Sequence, residues 1–76
     1  SNIVRKLFNV KKNIINKKNK NKYLLTIKND FQKQFKIKIE YLELRDVNSL
    51  KLSNVISTSR LFVAYYLNGV RLIDNL

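Results

Sequence analysis

Seventy-six residues with neither cysteine nor histidine and a formal charge of +11 make a small chain, one that buries only about 60% of the surface its unfolded form exposes. The two missing residue types exclude disulfide staples, zinc sites built on those ligands, thiol nucleophiles and imidazole bases, and so most familiar catalytic machinery. The charge is one-sided: residues 1–38 carry twelve Lys or Arg against one acid, Asp30, and residues 39–76 carry four of each sign.

Ile3, Leu7, Val10 and Ile14 recur at intervals of four, three and four, with Val4, Phe8 and Ile15 beside them and Arg5, Lys6, Lys11 and Lys12 between. That spacing predicts an amphipathic helix over 2–16. Asn16 to Asn21 holds only Lys and Asn, too polar and too like-charged to pack, and reads as an exposed loop. A second helix is expected from about Lys22, with Leu24, Ile27, Phe31 and Phe35 on its apolar stripe, and the two helices should pair as a hairpin.

After Lys36 the period changes to two. Residues 38–45 read as a strand with Ile37, Ile39 and Tyr41 on one side and Lys38, Glu40 and Leu42 on the other. The Ser- and Asn-rich stretch 46–59 is expected to be a long loop pinned to the core by Leu50, Leu52, Val55 and Ile56. Asn68-Gly69 lies between two apolar runs, and both residues accept the positive φ that a type I′ turn demands. It predicts a hairpin of 60–67 with 70–75, placing Leu67 opposite Val70, Tyr65 opposite Leu72 and Val63 opposite Asp74. One face then carries Val63, Tyr65, Leu67, Val70 and Leu72, and the other Phe62, Ala64, Tyr66 and Ile73. Neither face is polar, although a sheet with one wet side should alternate cleanly. A second apolar face implies a partner surface. The expected architecture is α+β: a helical hairpin over 1–37 packed on a three-stranded antiparallel sheet over 38–76.

Read continuously, Glu40-Tyr41-Leu42-Glu43-Leu44-Arg45-Asp46, then Arg60 to Val70, then Arg71-Leu72-Ile73-Asp74-Asn75 resembles the C-terminal domain of pantothenate synthetases (pantoate–β-alanine ligases). The likeness is specific over 39–76. Residues 1–38 match in kind only, as the helical pair before that strand, and their Lys/Asn richness departs from the more alanine-rich helices of the family. The resemblance implies an enzyme of the coenzyme A pathway that joins pantoate and β-alanine with ATP and Mg²⁺ through a pantoyl adenylate. It also implies that this chain is the lid, 1–76, of a homodimeric ligase whose nucleotide-binding domain is not among these residues. The His-x-Gly-His signature and the Ser-Ser-Arg-like loop that the family places in that domain have no counterpart here. Ser57-Thr58-Ser59-Arg60 is similar in letters but falls between two strands of the sheet. No catalytic, cofactor-binding or metal-ligating residue is therefore assigned to this chain, and the lid alone is expected to be inactive.

Each polar group also has a plainer reading. Arg71 and Asp74 fall on opposite faces of a strand and cannot form one site. Glu40 and Glu43 likewise alternate, and with Asp46 they stand among Lys and Arg as surface pairs. Tyr23, Tyr41, Tyr65 and Tyr66 could stack nucleic-acid bases, but in this pattern they read as half-buried packing residues. The rival function is a small nucleic-acid-binding module holding phosphates with Arg5, Lys6, Lys11, Lys12, Lys17, Lys18, Lys20 and Lys22. A purely structural interaction domain is a third. No run of about 18 apolar residues could cross a bilayer, and the basic start lacks a signal peptide's apolar segment, so a cytoplasmic setting is expected.

Overall fold

A computed structural model describes residues 2–76; Ser1 lies outside the described residues. Helix α1 spans Asn2–Asn13 and tightens into a 3₁₀ turn, Ile14–Asn16, so the expected first helix is present but changes pitch in its last three residues. Its stripe is buried as the spacing predicts: Ile3, Leu7, Val10 and Ile14 all enter the core. Helix α2, Lys20–Phe35, starts two residues before the expected Lys22 because Asn19 caps it, its side-chain oxygen accepting from the Lys22 N–H at 3.1 Å. Leu24 and Phe31 are buried on α2, with Ile27 and Phe35 packed against them. The helix stops where Lys36 enters the left-handed region at φ 53°.

Strands β1 (Lys38–Asp46), β2 (Ser59–Leu67) and β3 (Val70–Asn75) form one antiparallel sheet in that order. Asn68 and Gly69 take φ of 53° and 78°, and the pairs Leu67–Val70, Tyr65–Leu72 and Val63–Asp74 form as the turn dictates. The inner residues of β1 and β2, Ile39, Leu42, Leu44, Leu61, Val63 and Tyr65, join the helical stripes in one apolar cluster.

Two expectations fail. Ile39 pairs with Tyr65 but Tyr41 pairs with Ala64, so Glu40 is an extra residue in β1 and the alternation shifts phase there. Beyond this bulge Leu42 and Leu44 face the core, and Tyr41 moves to the outer face beside Ala64. Glu40 and Glu43 consequently serve the same face of the sheet rather than opposite ones. Second, Leu50, Leu52, Val55 and Ile56 are no anchors: they are 37–56% exposed. The chain from 47 to 58 is held by polar groups instead, with the Asp46 carboxylate accepting from the N–H groups of Asn48 and Ser49 at 2.8 Å each. Leu50 sits at φ 60°, an unfavourable setting for a branched apolar residue.

Candidate functional site

The two edges of the sheet are treated differently. Along β1, the α2 side chains supply hydrogen bonds a further strand would make: Asn21 Oδ1 accepts from the Leu44 N–H at 2.9 Å, and its Nδ2 donates to the carbonyls of Leu44 at 3.2 Å and Ser53 at 3.0 Å. Gln32 Oε1 accepts from the Ile39 N–H at 2.9 Å, and the Ser53 N–H donates to the Leu44 carbonyl at 3.0 Å. Asn54 then clasps the start of α2, its Oδ1 accepting from the Lys20 N–H at 2.8 Å and its Nδ2 donating to the Lys18 carbonyl at 2.7 Å. These contacts blunt an edge that would otherwise recruit a foreign strand. All six residues of β3 are exposed, and the helices leave its inner side open, with Val70 57% and Leu72 37% accessible.

The outer face is mixed. Tyr41, Phe62 and Tyr66 are half-buried around the fully enclosed Ala64, and Ile73 is open to water. Two ion pairs cross this strip. Arg71 Nε donates to Glu40 Oε2 at 3.0 Å, with Nη2 on the same oxygen, and this contact raises the Arg71 pKa further above its already high ordinary value. Arg45 holds Glu43 Oε1 through Nε at 3.2 Å and Nη2 at 3.0 Å. Asp46 is held below the usual carboxylate range, first by the Ser49 N–H and then by the Asn48 N–H. Arg71 and Asp74 do lie on opposite faces, through their partners Tyr66 and Val63.

The Ser57 to Arg60 stretch is a 3₁₀ turn (Ile56–Thr58) running into β2, and its contacts are internal: the Thr58 carbonyl accepts from the Val47 N–H, and Ser59 Oγ donates to Ser53 Oγ at 2.7 Å. Tyr65 is buried, and Tyr23 and Tyr66 lie under lysines, Lys17 at 4.8 Å and Lys38 at 6.0 Å from the ring centres. Lys6 stands 5.7 Å from the Phe35 ring, and Lys20 Nζ donates to the Lys17 carbonyl. The lysine cluster is thus divided among several separate contacts.

A cleft of about 610 Å³ opens between the end of α1 and the start of β2, lined by Phe8, Lys11, Lys12, Ile15, Ile56 and Arg60 over a floor that includes Ile14, Leu44 and Leu61. Its size is that of a ligand site. Its lining offers cations and hydrocarbon but no carboxylate side chain, and among the described residues no group of three His, Cys, Asp or Glu could hold a metal ion. The residues present do not fit magnesium or a complete nucleotide site, so no chemical step is derived from them. Asn21, Asn54 and this cleft were missed by sequence reasoning; only Phe8 and Ile15, apolar residues flanking the helical stripe, gave a sign of it.

No helix among the described residues is long and apolar enough to cross a membrane. A family model described as pantoate-beta-alanine ligase matches residues 1–76. Neither the curated proteins nor the solved structures provide a match to the chain.

Proposed function

From the premise that the chain belongs to the pantoate-beta-alanine ligase family, we propose that it is the C-terminal lid of an ATP-dependent ligase joining pantoate to β-alanine. In that reaction the pantoate carboxylate attacks the nucleotide's α-phosphorus, releasing pyrophosphate and forming an acyl adenylate. The β-alanine amine then attacks the acyl carbon, and AMP departs with the C–O electron pair. The acyl adenylate is open to hydrolysis, so a cover that excludes water protects the intermediate and holds it for the amine. ATP and magnesium belong, in this reading, to a nucleotide-binding domain of the same cytoplasmic enzyme, and this chain's residues contribute exclusion and positioning. The whole enzyme is a homodimer whose contacts lie mainly in that other domain.

The observation that carries the proposal is a family match running the length of a chain without a histidine, a cysteine or a metal-ligating cluster among its described residues. It is supported by the large apolar side chains left in water at Phe8 on α1, at Ile15 in the 3₁₀ turn after it, and around 47–58. The test is to incubate the 76 residues alone, and the complete ligase polypeptide in parallel, with pantoate, β-alanine, ATP and Mg²⁺. Pantothenate should form only with the complete polypeptide. Sustained turnover by the 76 residues would overturn the reading.

A further inference from the structure

The cleft beside α1 combines two features, exposed hydrocarbon and positive charge. Its walls are large apolar groups in water, Phe8 47%, Ile15 60% and Ile56 37% exposed, and its rim carries Lys11 and Lys12 with no carboxylate side chain among the lining residues, while Arg60 borders it from a strand position paired with Arg45 on the outer face. Glu40 is engaged with Arg71, Glu43 with Arg45 and Asp46 on its own turn, and Asp74, two residues before the lining residue Leu76, accepts from the Asn75 N–H. Lys11 and Lys12 suit the carbonyl end of α1, but that does not account for the bare Phe8, Ile15 and Ile56 beside them. A purely apolar cover would strip water from cations without pairing them, which costs more than the hydrocarbon contact returns. A cover that fits must bring its own negative charge.

Resting on the lid reading above, we propose that this cleft is where the lid seats on the rest of the ligase, and that its occupant is a segment of the nucleotide-binding domain bearing apolar side chains flanked by Asp or Glu. The docked state buries Phe8, Ile15 and Ile56 and pairs Lys11 and Lys12.

The experiment compares amide hydrogen exchange at residues 8–16 and 56–61 in the complete polypeptide, with ATP and pantoate present, and in the 76-residue chain. Wild type is expected to exchange at least about tenfold more slowly there in the complete polypeptide. The double substitution K11E/K12E, and separately Ile15→Asp, should abolish that protection and lower kcat/KM for pantothenate formation by at least about tenfold. Ile73→Asp, on the outer sheet face, should leave the protection intact. The charge-reversed 76-residue chain should stay folded by circular dichroism, its midpoint lowered only by the two charges reversed at the carbonyl end of α1, which separates lost docking from lost folding. Equal exchange in the two wild-type contexts, or protection indifferent to charge reversal, overturns the proposal. If the complete polypeptide makes no pantothenate yet shows charge-sensitive protection, the ligase reading falls and the docking surface stands. If it makes pantothenate without any protection, the docking surface falls and the ligase reading stands.

Discussion

Replacing Asn21 by alanine removes three hydrogen bonds at once: one accepted from the Leu44 N–H and two donated to the carbonyls of Leu44 and Ser53. All three are part-buried, and they join α2 to the free edge of β1 and to the segment after it. At about 1 kcal/mol net for each bond, and with water able to reach some of the orphaned groups, the loss should be about 2–3 kcal/mol. A chain of 76 residues has roughly 4–11 kcal/mol in total at the usual stability per residue, so this one side chain carries a large share. The thermal midpoint should fall by roughly 8–20 °C. Urea unfolding followed by circular dichroism measures the free-energy loss and a thermal melt the midpoint, with Asn21→Asp as the discriminating partner. The carboxylate can still accept from Leu44 but faces two carbonyl oxygens with no proton to offer, so at neutral pH it should cost at least as much as alanine. A loss below about 0.5 kcal/mol for alanine, or an aspartate variant as stable as wild type, would refute the claim that the amide acts as a surrogate strand.

Gly69→Ala meets nothing within 4 Å, so its cost is conformational, arising from φ of +78°, and should be about 1 kcal/mol with no change in the unfolding slope. Lys36→Gly, at an exposed helix end with φ 53°, should raise stability by about 0.5–1 kcal/mol in the same assay. Leu24→Ala, at a position with no exposure, should cost about 2–5 kcal/mol and threaten the fold. For Asp46 the folded pKa lies below the ordinary 3.8, so the unfolded chain takes up its proton first. Its contribution is present above pH 3.8 and is lost as pH falls through the folded value. Stability curves of wild type and Asp46→Ala should therefore converge as acid is added below that pH, and parallel curves would count against the turn geometry.

Local periodicity made the helices and the β2–β3 hairpin readable. The stripe from Ile3 to Ile14 and the Asn68-Gly69 turn each fix their surroundings within a few residues, and burial and register follow. The sidedness of β1 was misread beyond Ile39, although the sequence carries the slip in phase: the apolar positions run 37, 39, then 42, 44, and that offset is the bulge at Glu40. Tyr41, an amphipathic residue content on either side of a sheet, hides the slip. The segment 47–58 misled because Leu50, Leu52, Val55 and Ile56 look like anchors, whereas a thin core already filled by two helical stripes has no room for them. Asn21 could not be singled out in a stretch crowded with Asn and Lys. Its role is set by partners 23 and 32 residues away, a separation that carries no local mark.

The division of charge between the two halves acquires a structural meaning once the layers are known. The sequence from 1 to 38, with its excess of +11, builds the helical layer, and the neutral remainder builds the sheet. A field of that size attracts an acidic partner from a distance without choosing where it lands. The landing place has to be chosen at short range, by hydrocarbon that water leaves readily. Lys28 and Lys33 stand on α2, Lys17 lies over Tyr23 and Lys6 over the Phe35 ring. Where α1 ends and β2 begins, the cations stand beside Phe8, Ile15 and Ile56, all three in water. In the proposed docking, the basic layer draws the acidic segment toward the domain and the hydrocarbon at the seam between the layers holds it there.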